Sequence, residues 1–350
     1  MTTAGRLDLR TLDDGGQRAD DVGGDIAAWI AGAHRTLDLA LYDVRIPGPV
    51  GDDIAASIEA ARARGVRVRI AIHDPEREPT RPTTTPPQTR PDLLAETGAD
   101  VRLIDGRGDL MHHKFAVRDG AALWCGSTNW TLDSWTREEN VIVTVVSQPV
   151  AQAYERTFQE LWSRRHIEDT GAFEAPVARV GAALVRPWFC PGRGRELAHR
   201  IATRIDRARH RVRIASPVLT SAPVLAALAE VLHDGRVSAT GVVDLTQTEG
   251  ALAQWRANDQ VRWKAPVLEE VLAGLDFHGK RSRPYAPDTP HDFMHAKVTV
   301  IDDAVFVGSY NLSRSGEDNA ENVLEIDDRI LADRVAAWID EVRERYPDAR

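Results

Sequence analysis

Two short stretches carry the same set of polar side chains. The first is Met111-His112-His113-Lys114, running on to Asp119 and followed by Gly126-Ser127-Thr128-Asn129. The second is Met294-His295-Ala296-Lys297, running on to Asp302 and followed by Gly308-Ser309-Tyr310-Asn311. Each spells His, one residue, Lys, four residues, Asp, then Gly-Ser-x-Asn. A Glu-Asn pair follows each, Glu139-Asn140 and Glu321-Asn322. The histidines stand 295 − 112 = 183 residues apart and the asparagines 311 − 129 = 182 apart. So many positions held in step over that distance are not chance.

These side chains suit an anionic tetrahedral group. His, Lys, Ser and Asn all donate hydrogen bonds, and two copies make a site rich in donors and positive charge. A phosphate is the simplest guest. Two histidines allow two roles. One attacks phosphorus and forms a phosphohistidine. The other protonates the leaving oxygen and then deprotonates the incoming water or alcohol. Imidazole serves both because it titrates near neutral pH. The two lysines neutralise the non-bridging oxygens without a metal.

The elements that hold these groups follow from their spacing. Around each histidine the pattern has period two. His112, Lys114 and Ala116 share one face of a strand, with His113, Phe115 and Val117 behind. His295, Lys297 and Thr299 repeat this over Ala296, Val298 and Val300. The apolar runs before Gly126 and Gly308 predict return strands ending in turns, which bring Ser and Asn back to His and Lys.

The doubled His-x-Lys-x4-Asp motif resembles the signature of the phospholipase D superfamily. The resemblance covers both halves, from about Asp25 to Asp327. It implies two similar α/β repeats, each a mixed, mostly parallel sheet flanked by helices, packed as a pseudo-twofold pair around one shared active site. It implies that His112 and His295 are catalytic and that Lys114 and Lys297 bind phosphate. Asn129 and Asn311, with Ser127 and Ser309 beside them, match the substrate-binding positions. Glu139 and Glu321 match the carboxylates that orient the histidines. Asp119 and Asp302 match the motif aspartates, used more for scaffolding than for chemistry. In the family the first histidine is usually the nucleophile and the second the acid. No cofactor or metal is implied.

The 350 residues are 43% hydrophobic and 28% charged, with a net charge of −9. This suffices for two domains with a core each, expected over 1–170 and 180–350. The acidic total argues against a sequence-independent duplex binder, although the site itself is cationic. Cys125 and Cys190 make neither a disulfide framework nor a zinc pattern, and Cys125 reads as a buried thiol. No apolar signal core and no long apolar run occurs, so a cytoplasmic protein is expected. Both motifs lie in one chain, so a monomer is expected.

Along the chain, residues 1–20 read as an irregular lead-in. A βαβ order follows, with strands at Leu37–Tyr42 and Val66–Ile72 around a helix at Gly51–Arg64. The second half repeats it, and Asp244 answers to Asp74. Pro75 to Pro91, dense in Pro and Thr with Arg77, Arg81 and Arg90, reads as a surface loop or a flap over the entrance. His278-Gly279-Lys280-Arg281-Ser282-Arg283 is a basic run that reads as a solvated loop or a phosphate contact. Trp130 reads as core or as a stacking surface, and His113 as packing. His291 reads as a loop residue; with Asp292 it lacks metal-ligand spacing.

A metal-independent nuclease on DNA or RNA is the favoured reading. Compact halves and a likeness around Met-His-His-Lys-Phe-Ala-Val to small nucleases of the family support it. A phospholipase D or transphosphatidylase is the alternative, with Trp124, Trp130, Trp135, Trp188 and Phe189 forming an apolar mouth. A phosphodiesterase on a small phosphoester is a third. A non-catalytic scaffold would not need both histidines.

Overall fold

The computed structural model describes residues 5–75, 91–284 and 289–347. The proline-rich stretch expected as a loop or flap falls almost wholly outside them.

The first repeat opens on a strand, not an irregular lead-in. Leu7 and Leu9 alternate with polar residues in β1 (Arg6–Leu12), which lies antiparallel along a sheet edge. Helix α1 (Ala19–Ala31) turns Val22, Ile26 and Ile30 inward. Strands β2 (Thr36–Leu41) and β3 (Val44–Arg45), helix α2 (Pro49–Ala63) and β4 (Arg67–His73) complete the βαβ order. After α3 (Pro91–Glu96) and β5 (Asp100–Ile104) comes the motif hairpin, β6 (Lys114–Arg118) and β7 (Ala122–Gly126). The short β8 (Trp130–Thr131) and α4 (Leu132–Thr136) lead to β9 (Asn140–Val146) and the long α5 (Gln148–Arg164).

The second repeat starts with β10 (Ala178–Val180) and β11 (Ala183–Phe189), where the sequence suggested only a bridge. Helix α6 (Gly194–Asp206), β12 (Arg211–Ser216), α7 (Ala222–Asp234) and β13 (Ser238–Asp244) follow. A helical pair, α8 (Leu245–Arg256) and α9 (Lys264–Gly274), precedes β14 (Phe277–Lys280). The second motif hairpin is β15 (Val298–Ile301) and β16 (Ala304–Gly308). Helix α10 (Arg314–Asp318), β17 (Asn322–Asp327) and α11 (Arg329–Glu344) close the repeat.

The two main sheets run β1-β9-β7-β6-β2-β4-β5 and β10-β11-β17-β16-β15-β12-β13-β14. The repeated α/β architecture is as expected, but the sheets are mixed with antiparallel pairs in the majority. Only β2-β4-β5 and β12-β13-β14 are parallel. Each motif strand returns as a hairpin, and a hairpin is antiparallel by construction.

Nor does each repeat keep its core to itself. One cluster joins Phe115, Val143, Tyr154 and Phe158 of the first repeat to Ala296, Val300, Val307 and Trp338 of the second. Helix α5 packs on its own sheet and on β11. Arg334 Nη2 donates to Leu9 O at 2.8 Å, and Trp338 Nε1 to Asp13 Oδ1 at 3.0 Å. Outer clusters under α1 and α2, and under α6, α7 and α9, belong to single repeats. Among the described residues no helix is long and apolar enough to cross a membrane.

Candidate active site

The motif residues divide by position along their strands. Asp119 and Asp302 stand at the far end of the motif strands, roughly 17 Å of extended chain from the lysines. Each caps a bundle of backbone donors. Asp119 accepts from the N–H of His34 (3.0 Å), Arg35 (2.6 Å) and Thr36 (3.0 Å). Asp302 accepts from Arg209 (2.9 Å), His210 (2.9 Å) and Arg211 (3.1 Å). Burial pushes both carboxyls up, but these three donors outweigh it and hold both below the usual range. Both residues adopt positive φ, +57° and +51°, at the hairpin turns. They anchor the start of the neighbouring strand and stand apart from the cationic cluster.

The Gly-Ser steps are structural too. A Cβ on Gly126 would sit 2.0 Å from Val141 O, and one on Gly308 2.0 Å from Asn322 O. The returning chain passes too close for any side chain. Ser127 Oγ donates to Asn140 Oδ1 at 2.7 Å and accepts from Val141 N–H at 2.9 Å. Ser309 Oγ donates to Glu321 and accepts from Asn322 N–H at 3.0 Å. Both hydroxyls are committed to protein partners, so the substrate-binding place given them by sequence becomes one of clamping the turn.

The chemistry gathers between the repeats. His112 Nδ1 donates to Glu321 at 2.8 and 3.0 Å to its two oxygens. Ser309 and Asn319 Nδ2 (3.2 Å) hold that carboxyl from behind. His295 Nδ1 donates to Asn140 Oδ1 at 3.1 Å, with Glu138 Oε2 at 3.3 Å. Each imidazole is thus oriented by the opposite repeat. With Nδ1 carrying the hydrogen, each Nε2 is left for chemistry.

Lys114 Nζ reaches His112 O at 2.8 Å and lies 4.9 Å from the Tyr42 ring centre. Lys297 Nζ reaches His295 O at 2.5 Å. The Tyr42 ring also packs edge-on against His112, 4.7 Å between centroids. Asn129 Oδ1 and Asn311 Oδ1 are buried without a protein partner.

Burial dominates the charge balance. It lowers His112 and His295 well below their ordinary range, and the two lysines add to this. It lowers Lys114 to about 7, against the pull of Glu321, and lowers Lys297 strongly. It raises Glu138 and Glu321 to about 7, against the pull of nearby lysines and hydrogen-bond donors. Each group is pushed towards its neutral form. An entering anion would restore the charge on the lysines.

Several sequence expectations fall elsewhere. Glu139 is not beside His295: its Oε2 accepts from Lys280 Nζ at 2.9 Å, and its Oε1 from the Tyr346 hydroxyl. The basic run before the second motif is largely spent on protein partners. Lys280 is buried against Glu139 and Asp14, Arg281 pairs with Glu249 at 2.8 Å, and His278 Nδ1 bonds the carbonyls of Arg343 and Tyr346. Trp130 packs edge-on against Trp124 in the core, 5.7 Å between centroids. Trp124, Trp135, Trp188 and Phe189 are buried as well, so they form no apolar mouth. His113 is buried against Phe115 and Asn322, as packing predicts. His291 is buried and stacks on Phe293. Cys125 is buried and its thiol pushed up to about 12.

Sequence reasoning gave no role to Tyr42 or Glu138, and it placed Trp135 at an apolar mouth, whereas its Nε1 donates to Asn129 O at 3.0 Å. Tyr42 had one signal, its place at the end of a strand beside the motif strand.

The relatives point the same way. The chain is 33% identical over 131 residues to a mitochondrial cardiolipin hydrolase of Xenopus tropicalis, covering 37% of this chain and 56% of that protein. It is 28% identical over 152 residues to the 5'-3' exonuclease PLD3 of Macaca fascicularis, covering 39% and 30%. It thus spans little more than half the length of the cardiolipin hydrolases it matches. The crystal structure of phosphatidylserine synthase from Haemophilus influenzae shares the fold, with a TM-score of 0.66 at 14% identity over 96% of this chain and 86% of that one. The family described as cardiolipin synthase, PLD-like domain, matches residues 26–162 and 201–343, one segment in each repeat. With a His–Lys motif in each matched segment and the two histidines cross-held between repeats, the chain belongs to the phospholipase D-like family.

Proposed function

We propose that this chain is a metal-independent phosphodiesterase that works through a phosphohistidine, with nucleic acid as its substrate. One observation carries the chemistry: two His–Lys pairs meet between the repeats, with His112, Lys114 and Lys297 buried and each imidazole held through Nδ1. Lys114, Lys297 and the amides of Asn129 and Asn311 bind the non-bridging oxygens. The bound anion raises the lysines and histidines back towards their charged forms.

His112 is the nucleophile. Its Nε2 forms a bond to phosphorus as the bond to the leaving oxygen breaks. The Glu321 carboxyl stabilises the charge that develops on the ring. His295 faces a neutral amide oxygen first, which leaves it the stronger acid. It gives its Nε2 proton to the leaving oxygen, then takes one from water as water displaces His112. Both motifs lie in one chain, so a monomer suffices.

The burial of Trp124, Trp130, Trp135, Trp188 and Phe189 removes the acyl-chain mouth, and the exonuclease named among the relatives supports nucleic acid over lipid. A phospholipid reading rests on a different feature. A cavity of about 630 Å³, lined by Val44, Ile46 and Leu132 with Arg45 and Asp133, adjoins the strand after Asn129. Cardiolipin hydrolases among the relatives fit that reading.

The test is a paired assay on single- and double-stranded DNA and RNA and on phosphatidylcholine and cardiolipin vesicles. Nucleic acid cleavage is expected, with His112→Asn and His295→Asn each losing at least about a thousandfold. The double variant should be little worse, because the pair acts as a unit. Near-full turnover in either single variant refutes the two-histidine chemistry; cleavage of lipid alone refutes the substrate.

A further inference from the structure

Glu139 and Glu321 are equal by counting: 139 − 129 = 10 and 321 − 311 = 10 residues beyond the motif asparagines. They are unequal in space. Glu321 faces His112. Glu139 is fully buried and faces Lys280, at the end of β14, and Tyr346, just beyond α11. Lys280 Nζ also donates to Arg137 O at 3.1 Å and lies 3.2 Å from Asp14 Oδ2. Three polar groups therefore fix this one ammonium, and it fixes Glu139.

Neighbouring residues of an extended chain face opposite ways, so a shift of one residue exchanges which side chain points inward. The pairing across the site shows such a shift. Met111, before the first histidine, bridges to Ala320, the residue preceding Glu321; Met294, before the second, bridges to Glu139 itself. With Glu139 turned to Lys280, Glu138 turns to His295. Its carboxyl accepts from Ser134 Oγ at 2.7 Å and from Asn140 Nδ2 at 3.1 Å, and lies 3.3 Å from His295 Nδ1. The same Asn140 bonds His295 through its oxygen, so Glu138 steadies the ring directly and through the amide.

We infer that Glu138, not its neighbour Glu139, is the positioning residue of His295, and that Lys280 and Tyr346 make this choice by holding Glu139 away. This rests on the phosphodiesterase reading with His295 as the acid. In that step the proton goes from His295 Nε2 to the leaving oxygen as its bond to phosphorus breaks. Glu138 takes no proton and touches no substrate; it keeps Nδ1–H, and so Nε2, in line.

Two aryl esters test this. Bis(p-nitrophenyl) phosphate has a leaving group that departs without a proton; diphenyl phosphate has one that gains from it. Glu138→Gln should lower kcat on diphenyl phosphate by about tenfold or more, in the range typical of outer-layer partners, with KM little changed. Its loss on the nitrophenyl ester should be several-fold smaller. Glu139→Gln should lose less on diphenyl phosphate and show no dependence on the leaving group. A larger, leaving-group-dependent loss in Glu139→Gln overturns the inference, as do equal losses in the two variants. Should Glu138→Gln fail to fold, Ser134→Ala removes one of its holds and should show the same split; no split there counts against the inference. His295→Asn separates the two levels. If its loss is the same on both esters, the assignment of His295 as the acid is wrong. If its loss is greater on diphenyl phosphate while the glutamate variants behave alike, only the inference falls.

Discussion

His73 Nδ1 accepts the backbone N–H of Met111 at 3.2 Å, immediately before the first motif histidine. Asp244 does the same in the second repeat, its Oδ2 accepting the N–H of Met294 at 3.1 Å. The counterpart of Asp244 is therefore His73 and not Asp74, one residue from the match that counting suggests. An imidazole accepts at Nδ1 only when neutral there. Burial, then the charge of Lys114, lowers His73 to about 4.

This predicts an acid weakness. The folded protein refuses a proton that the unfolded chain takes below its ordinary value of 6.5. The stability held by neutral His73 is full above that value and is lost as pH falls from 6.5 towards about 4, up to about 3 kcal/mol. His73→Asn should remove that part of the pH dependence. Thermal unfolding of both proteins should show the stability gap between them shrinking from pH 7.5 to pH 4.5. A constant gap would show that His73 is not held neutral.

Asp119 and Asp302 should prove scaffolding residues. Asp119→Ala strands three backbone donors at His34, Arg35 and Thr36. The expected cost is about 1 kcal/mol, read as a lower unfolding temperature, since water replaces part of the lost acceptor at these exposed donors. Turnover per folded molecule should stay within a few-fold at a temperature where the variant is folded. A thousandfold loss in a well-folded variant would place Asp119 in the chemistry.

Lys280 should be needed for stability because it is the partner of a buried carboxyl. Lys280→Met leaves Glu139 buried without its cation, a change that costs about 3–5 kcal/mol in buried pairs. Adding Glu139→Gln should recover much of that loss. Chemical denaturation of the two single variants and the double variant gives the coupling. Strictly additive losses would mean that the pair does not interact as drawn.

Chelation tests the metal-free chemistry. Among the described residues no three His, Cys, Asp or Glu side chains are grouped to hold a metal ion. Activity in excess EDTA should match that without it. Abolition by EDTA and recovery on adding a divalent ion would reject the phosphohistidine reading.

The sequence by itself determined the repeat, the motif strands and the two His–Lys pairs. These rest on local rules: period two in a strand, glycine at a turn, and polar groups kept in step over 183 residues. It also marked Glu321 and the helix that became α2. Tertiary structure decided the rest, because each remaining question turned on what a side chain meets across the interface. β1 was obscure because one short amphipathic edge strand becomes a strand only by pairing with β9. Two adjacent glutamates, Glu138 and Glu139, look alike in sequence, and only the chain's register and the reach of Lys280 from the other repeat separate them. The basic run before the second motif read as a solvated loop or a phosphate contact, but partners distant in sequence, Glu139, Glu249 and Asp14, already hold its charges. Local pattern fixes which groups are present; packing fixes which of them are left over for a substrate.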